Sequence, residues 1–368
     1  MIRRWWTRLR KAFALRRLFR RAVACVLIAI GLLLCPIAYV ELGCRAPTGT
    51  QAYEPLITDP AFRRTETNTY LTYPEWHIVF AYDGLAQSLK TGAEHHFDYL
   101  RSVAGFWSST CALMRIARAQ GGAETNTRMM IHTIGASFTA EMLAKAAYEE
   151  TIGRLTAWLR GPRKTPQDAV IAAMASDYAA FLRQTPWYRY PFHQKARELW
   201  AAPIEQFARG WERRLGIGVE FEAKRVYARV LGAAVAATGQ AELSIRSVVT
   251  GIDAAALARI PGVKTIGRRS AGIEIETPRY DRFTRILAEI ARQGGAIREI
   301  AGNDDIMVSM TVPEGTAGSI RHGTVLVVIK RDAVPGERLL VRVGMADLAM
   351  FLNAYPLGDP GLEHVFDY

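Results

Sequence analysis

The 368-residue chain lacks the sequence motifs of the commonest catalytic frameworks. It has no glycine-rich phosphate-binding loop, no paired Cys-x-x-Cys, no His-Glu-x-x-His and no Gly-x-Ser-x-Gly. These absences argue against the usual nucleotide-binding, zinc-finger, zinc-protease and serine-hydrolase architectures. They leave enzymes of other kinds open, so catalysis has to be judged from individual side chains.

Acidic residues are absent from residues 1–21, which contain nine arginines and lysines together with Trp5 and Trp6. Without this tail, 38 basic residues face 35 acidic residues, and the remainder is almost neutral. The pI near 9.7 therefore reflects the tail, and we expect no nucleic-acid partner. A basic, tryptophan-containing tail instead suits anionic lipid headgroups.

Charged residues are also absent from residues 22–40. As a helix these nineteen residues would extend ~28 Å, close to the ~30 Å hydrocarbon core of a bilayer. We expect a single transmembrane anchor with a cytoplasmic tail over residues 1–21, because positive flanks stay inside. A cleaved signal peptide is the alternative, but its apolar region is usually shorter. The arginine- and alanine-rich composition is typical of GC-rich bacteria, so we expect an inner-membrane protein with a periplasmic domain.

Two of the four cysteines fall after this stretch. Cys44 and Cys111 would both be exported, and the periplasm permits disulfides. A bridge between them would tie the domain to its anchor. Alternatively, Cys111 is a buried thiol, because it shares a helical stripe with Leu100, Trp107 and Met114.

Residues 45–69 have no periodicity and predict an irregular connector, whereas residues 70–238 show helical periods and predict an all-helical domain. Thr72 with Glu75, and Thr165 with Asp168, have capping-box spacing. Glycines and prolines divide the domain into these expected helices: 72–89, 94–119, 126–160, 165–183, 194–215 and 220–237.

The period changes near Gly239, and residues 239–368 predict an α+β domain. The β-α-β-β-α-β order resembles the ferredoxin-like split motif, which many unrelated functions share. We expect an added hairpin over residues 324–330 and 338–343, a short helix at 346–354 and an irregular end.

A six-residue pattern recurs at residues 94–99 and 363–368 with five identities. Each copy places a histidine three residues before an aspartate, which on a helix would share one face. His95, Asp98, His364 and Asp367 together would suit zinc, manganese or non-haem iron, and this divalent metal is the only cofactor that the sequence suggests. The alternative is a chance repeat whose polar groups favour a helix start.

Four further side chains are candidates for acid–base chemistry. Glu75 and His77 lie near a helix start, where hydrogen-bonded structural roles are common. His132 lies on a small-residue face typical of a core histidine. Glu141 either pairs with Lys145 at the surface or lies beside His132.

An aromatic loop at residues 186–193 allows two interpretations. Trp187, Tyr188, Tyr190 and Phe192 could form an interfacial or ligand-binding surface. They could equally lock the loop over a helical core.

These features favour a membrane-anchored periplasmic module that binds or assembles with an envelope protein or lipid. The alternative is a membrane-tethered metal enzyme using the two His-x-x-Asp pairs. A third possibility is a structural component that oligomerises through the α+β domain.

Overall fold

The computed structural model describes residues 16, 19–21, 23, 24, 27, 28, 30–47, 49, 53–238 and 243–368. A helical region is followed by two antiparallel sheets with their helices. The helices are α1 (Asn68–Leu71), α2 (Tyr73–Thr91), α3 (Tyr99–Ala119), α4 (Thr125–Tyr148), α5 (Arg154–Arg160), α6 (Pro166–Leu182), α7 (Phe192–Ala201), α8 (Phe207–Thr238), α9 (Ala254–Arg259), α10 (Asp281–Arg292) and α11 (Met345–Ala354). The strands are β1 (Ser244–Thr250), β2 (Lys264–Arg269), β3 (Gly272–Pro278), β4 (Ala296–Ile300), β5 (Asp305–Val312), β6 (Thr324–Lys330), β7 (Glu337–Gly344) and β8 (Gly361–Val365).

The expected transmembrane anchor at residues 22–40 is wrong. Within the described parts of the chain, no helix is both long enough and apolar enough to cross a bilayer. The end of the apolar stretch instead packs on the helical region, where Val40 is fully buried and Ile37 contacts the same core. Residues 22, 25, 26 and 29 of this stretch, and most of the basic tail, lie outside the described residues.

The two expected capping boxes have different outcomes. Thr165 accepts from the Asp168 amide and the Asp168 carboxylate accepts from the Thr165 amide, so the box at α6 is confirmed. Thr72 makes no such bond, and its box with Glu75 is wrong. The turn of α1 precedes Thr72, whose hydroxyl donates to the carbonyl groups of Asn68 and Thr69 instead.

The long helix α8 corrects a second expectation. Gly216 and Gly218 do not interrupt it, although Pro203 does separate it from α7. A Cβ on Gly216 would lie 2.1 Å from the Tyr148 hydroxyl oxygen, and one on Gly218 would lie 3.2 Å from Trp200 Nε1. The glycines therefore permit close packing against this helix.

Each sheet has four strands. The first has the order β2-β3-β1-β4 with antiparallel neighbours, which is the order of the ferredoxin-like split motif. The second has the order β6-β7-β5-β8, and the expected hairpin over residues 324–330 and 338–343 is present in it as β6 and β7. The chain end is a strand because β8 pairs with β5, for example Val365 opposite Val308.

The helical region and the second sheet share a core. Tyr73, Trp76 and Phe80 on α2 pack with Leu340 and Phe366. The buried guanidinium of Arg338 lies 3.7 Å from the Phe80 ring centroid and binds the Glu363 carboxylate through two hydrogen bonds. This junction holds α2 fixed relative to the sheets.

Candidate functional site

The two His-x-x-Asp pairs do not come together. Glu94–His96 is a 3-10 turn, and Asp98 caps α3 by accepting from the Arg101 amide, so the first pair does not share a helix face. The other pair lies on or just after β8. Among the described residues, no three or more His, Cys, Asp or Glu side chains are grouped to hold a metal ion, and the expected shared site is not formed.

His364 and Asp367 have separate structural partners. His364 is fully buried, stacks on Trp76 with ring centroids 3.5 Å apart, and has its Nδ1 3.0 Å from the Thr284 hydroxyl oxygen. Burial lowers the pKa of His364 well below its ordinary value, so the ring is neutral. Asp367 accepts from Arg279 Nε at 2.9 Å.

His77 is a core histidine. Its Nε2 lies 2.9 Å from the Ser102 carbonyl oxygen, and its ring packs edge-on against Phe106 and Phe138. Burial lowers the pKa of His77 to about 4, despite the bond to Ser102. The neutral ring of His77 therefore packs between α2, α3 and α4 as part of the core. Glu75, the other candidate at the start of α2, is exposed.

His132 and Glu141 are not neighbours in one acid–base site. His132 Nε2 lies 2.8 Å from Glu41 Oε1, beside Arg118 and Arg128, which contact the same carboxylate. Glu141 pairs with Lys224 at 2.7 Å and accepts from the Tyr82 hydroxyl.

The expected surface pair of Glu141 with Lys145 is wrong. Lys145 lies 2.7 Å from Glu220 on α8. Glu141 and Lys145 therefore each form an ion pair with α8 and not with each other.

The aromatic loop mainly stabilises the helical region. Tyr190 and Phe192 are buried against Tyr178, with ring centroids 4.7 and 5.7 Å away. Trp187 packs on Tyr227, and both Trp187 and Tyr188 are half-buried. The core interpretation therefore holds for Tyr190 and Phe192.

The Cys44–Cys111 disulfide, which the sequence left open, is present with a Cα–Cα distance of 5.3 Å. It joins the segment after residue 40 to α3. Cys35 is an exposed free thiol.

A buried ionic cluster lies between α5, α6 and α8. Arg209 and Arg213 are 1% and 0% exposed and contact four carboxylates. These carboxylates belong to Glu94, Glu149, Asp168 and Glu212. Removing buried charges from water costs several kcal/mol per ion, so their mutual satisfaction is required for this core.

A π-helical turn positions one member of the cluster. Residues Glu149–Gly153 form this turn between α4 and α5, which directs Glu149 toward Arg213. A Cβ on Gly153 would lie 2.2 Å from a Glu149 carboxylate oxygen. Glycine thus leaves room for the ion pair.

A basic pocket of about 520 Å³ opens beside this cluster, between the turn Glu94–His96 and α5. Within the part of the chain that the structure describes, no carboxylate lines it. The lining residues are Thr91, Gly92, Ala93, His95, His96, Arg154, Ala157, Trp158, Arg160, Gly161, Pro162 and Lys164.

The cationic side chains of the basic pocket are held in different ways. Arg160 donates to Asp168 at 2.9 Å, and its buried Nε has no partner. Lys164 donates to the Leu89 carbonyl at 2.6 Å, at the end of α2. Arg154 is 58% exposed, and its one ion pair among the described residues is with Glu150, which is also exposed.

The positive charge of the basic pocket lowers the pKa of two groups, His95 and Asp168. Burial lowers the pKa of His95, and the neighbouring His96 and Arg154 lower it further. Burial alone would raise the pKa of Asp168, but Arg209, the Thr165 amide and Arg160 outweigh it and lower that pKa. Asp168 therefore remains ionised and holds Arg160 at the pocket wall.

A carboxyl pair was missed from the sequence. Glu66 and Asp305 are neighbouring carboxyl groups, and the Tyr70 hydroxyl donates to Asp305 Oδ2 at 3.1 Å. Burial and the negative charge of Asp305 raise the pKa of Glu66 to about 8. No local spacing signals this pair, because its members come from the connector and from β5.

Comparison with known proteins adds no assignment to this geometry. No family model, no curated protein and no solved structure matches the chain.

Proposed function

We propose that the protein is an exported binding module that holds the acidic headgroup of a phosphorylated amphiphile in its basic pocket. The observation that supports this most is the lining: three cationic side chains and two histidines surround about 520 Å³, and none of the described carboxylates joins them. Guanidinium and ammonium groups in partly desolvated sites form the strongest hydrogen bonds to phosphate.

The rim of the basic pocket supports an amphiphile rather than a free anion. Trp158 lines the pocket and is 76% exposed. Leu155 and Leu159 on the same short helix are also exposed. An indole with a polar edge and an apolar face suits the boundary between a headgroup and an acyl chain.

The disulfide supports a location outside the cytosol. Cys44 and Cys111 are bonded, and such bonds persist outside the reducing cytosol. We therefore infer export to the periplasm, where lipid and lipid-linked phosphates are available as ligands.

Calorimetric titration with monomeric lysophosphatidic acid tests the proposal. We expect binding that zwitterionic lysophosphatidylcholine does not reproduce. Arg154→Gln should weaken it about tenfold, which corresponds to the ~1.4 kcal/mol of one charge-assisted bond. Arg163→Gln is the matched control, since Arg163 is exposed but does not line the pocket.

A second variant separates the headgroup from the chain. Trp158→Ala should weaken lysophosphatidic acid while leaving the affinity for inorganic phosphate unchanged. The proposal is overturned if lysophosphatidic acid does not bind, or if Arg163→Gln weakens binding as much as Arg154→Gln.

A further inference from the structure

The solvent side of α5, and of the π-helical turn before it, is apolar. Ile152, Leu155 and Leu159 lie at helical spacing on this side and are 52%, 57% and 58% exposed. The first half of α8 has the same kind of solvent side, with an apolar residue at every fourth position. These exposed residues of α8 are Phe207, Trp211, Leu215 and Val219.

The sides of the same two helices that face the protein interior carry charge. Arg209 and Arg213 on α8 are buried, and Arg160 on α5 binds the buried Asp168. A helix that faces water has the opposite pattern, with charged residues outside and apolar residues inside. Ionisable side chains turned inward beneath an apolar exterior are typical of surfaces that contact lipid. The distribution therefore fits an apolar medium outside these helices better than water.

The two apolar sides adjoin along the seam between the helices. At one end of the seam, Arg209 Nη1 donates to the Gly153 carbonyl at 3.2 Å. At the other end, Gln206 Nε2 donates to the Arg160 carbonyl at 3.4 Å, so α5 runs antiparallel to the start of α8. The exposed apolar residues of both helices flank this seam, and together they are called the apolar face.

Cations lie together at the end of the apolar face that α5 forms. Arg154, Arg163 and Lys164 are exposed there, and two of them line the basic pocket. Within the described residues 148–165 and 203–219, the exposed acids are Glu150, which pairs with Arg154, and Glu205 before α8. The charge beside the apolar face therefore complements an anionic surface.

Trp158 stands where the apolar face meets the basic pocket. It is adjacent to Leu159 in the chain, lines the pocket and is 76% exposed. Tryptophan is enriched where the hydrocarbon of a bilayer meets its headgroups. An apolar surface bordered first by tryptophan and then by cations matches the acyl chains, the interface and the anionic headgroups of a bilayer in that order.

We propose that the apolar face rests on the surface of a bilayer that contains anionic phospholipids, with the basic pocket at the level of the headgroups. Helices that bind in this way place their apolar side about 5–10 Å into the bilayer. The inference names the source of the ligand, and it rests on the proposed function only for what the pocket holds.

An environment-sensitive fluorophore at position 155 of the full-length chain tests this contact. It is attached to Leu155→Cys in a background with Cys25 and Cys35 replaced by serine, because Cys44 and Cys111 are bonded and do not react. On vesicles of equal parts phosphatidylglycerol and phosphatidylcholine, we expect its emission to shift to shorter wavelength. Lipids that carry a nitroxide near the headgroup should quench it. Because the label reports on this face alone, binding through the basic tail does not imitate the result.

Met350→Cys is the matched control, because Met350 is 48% exposed and lies on α11 in the α+β region. Its label should neither shift nor be quenched. In vesicle flotation, Leu155→Glu/Leu159→Glu should weaken binding by at least about tenfold, because two leucine side chains no longer leave water. Met350→Glu should bind as the wild type does.

Three results overturn the bilayer contact. They are an unshifted label at position 155, equal responses at positions 155 and 350, and a label at 155 that responds to protein concentration but not to vesicles. The last result would place a second copy of the chain on the apolar face. Failure of the proposed function is distinguishable: a shifted label without binding of lysophosphatidic acid overturns only the ligand of the pocket.

Discussion

The guanidinium of Arg213 and the carboxylate of Glu149 form two hydrogen bonds of 2.9 Å where neither side chain reaches solvent. Burial would lower the pKa of Arg213, but Glu94, Glu149 and Glu212 outweigh it and raise that pKa. The arginine therefore stays charged although it is buried.

Replacement of Arg213 by methionine should destabilise the protein by about 3–5 kcal/mol, because it leaves buried carboxylates without a counter-charge. Urea unfolding followed by circular dichroism measures the loss. Arg154→Met is the control: it removes an exposed i,i+4 pair and should cost less than about 1 kcal/mol. Equal losses for the two variants would contradict the structural role of the cluster.

The carboxyl pair predicts a pH dependence of stability. Folding raises the pKa of Glu66 from about 4.5 to about 8. A carboxyl group with a raised pKa stabilises the folded state below its unfolded pKa and loses that contribution as the pH rises through the folded one. The free energy of unfolding should therefore fall between pH 4.5 and 8 by more in the wild type than in Glu66→Gln. Parallel pH profiles for the two proteins would show that Glu66 does not titrate in this window.

The disulfide predicts a large loss of stability on removal. The bridge closes a loop with a sequence separation of 67, for which loss of unfolded-chain entropy gives about 4 kcal/mol. We expect this loss in Cys44→Ser/Cys111→Ala from denaturant titration. Cys35→Ser should leave stability unchanged, because Cys35 is unpaired and exposed. Alkylation of the unfolded wild type without a reducing agent, followed by mass spectrometry, checks the bond itself. If the bond is absent, two additional thiols are alkylated.

His95 predicts how ligand binding responds to pH. Its pKa is lowered by burial, His96 and Arg154, so the ring is neutral at pH 7 and becomes cationic only in acid. A bound phosphate favours the cation, and lysophosphatidylglycerol, whose phosphodiester keeps one negative charge at both pH values, should bind more tightly at pH 5 than at pH 7.5. His95→Gln should lose much of this difference, whereas His193→Gln, altered at an exposed position on α7, should keep it. A His95→Gln protein with the wild-type profile would exclude His95 as the titrating group.

Sequence features that involve only neighbouring residues predicted the structure correctly where no distant contact opposed them. The box at Thr165 involves residues three apart, and it forms as expected. Gly216 and Gly218 suggested a break, but a glycine costs a helix only about 1 kcal/mol, and packing against Tyr148 and Trp200 outweighs this. Strand β8 was missed because its formation depends on a partner, β5, that lies far away in the sequence.

The candidate site was less predictable for the same reason. His95 was identified from an internal repeat, but for a metal site that does not form. The cationic wall of the basic pocket was not expected, because Arg154, Arg160 and Lys164 meet the turn at His95 only after α5 folds back on the end of α2. The spacing of residues within one helix does not predict which other helix or turn its side chains will contact.

The hydroxyl of Thr69 bonds to the Phe366 carbonyl and accepts from the Met307 amide, which lie 297 and 238 residues further along the chain. During synthesis from the N-terminus, this early turn emerges long before either partner. Its polar groups and the aromatic face of α2 must then be exposed until the second sheet arrives. Synthesis in this direction thus leaves an extended interval in which a chaperone would find a defined apolar surface to protect.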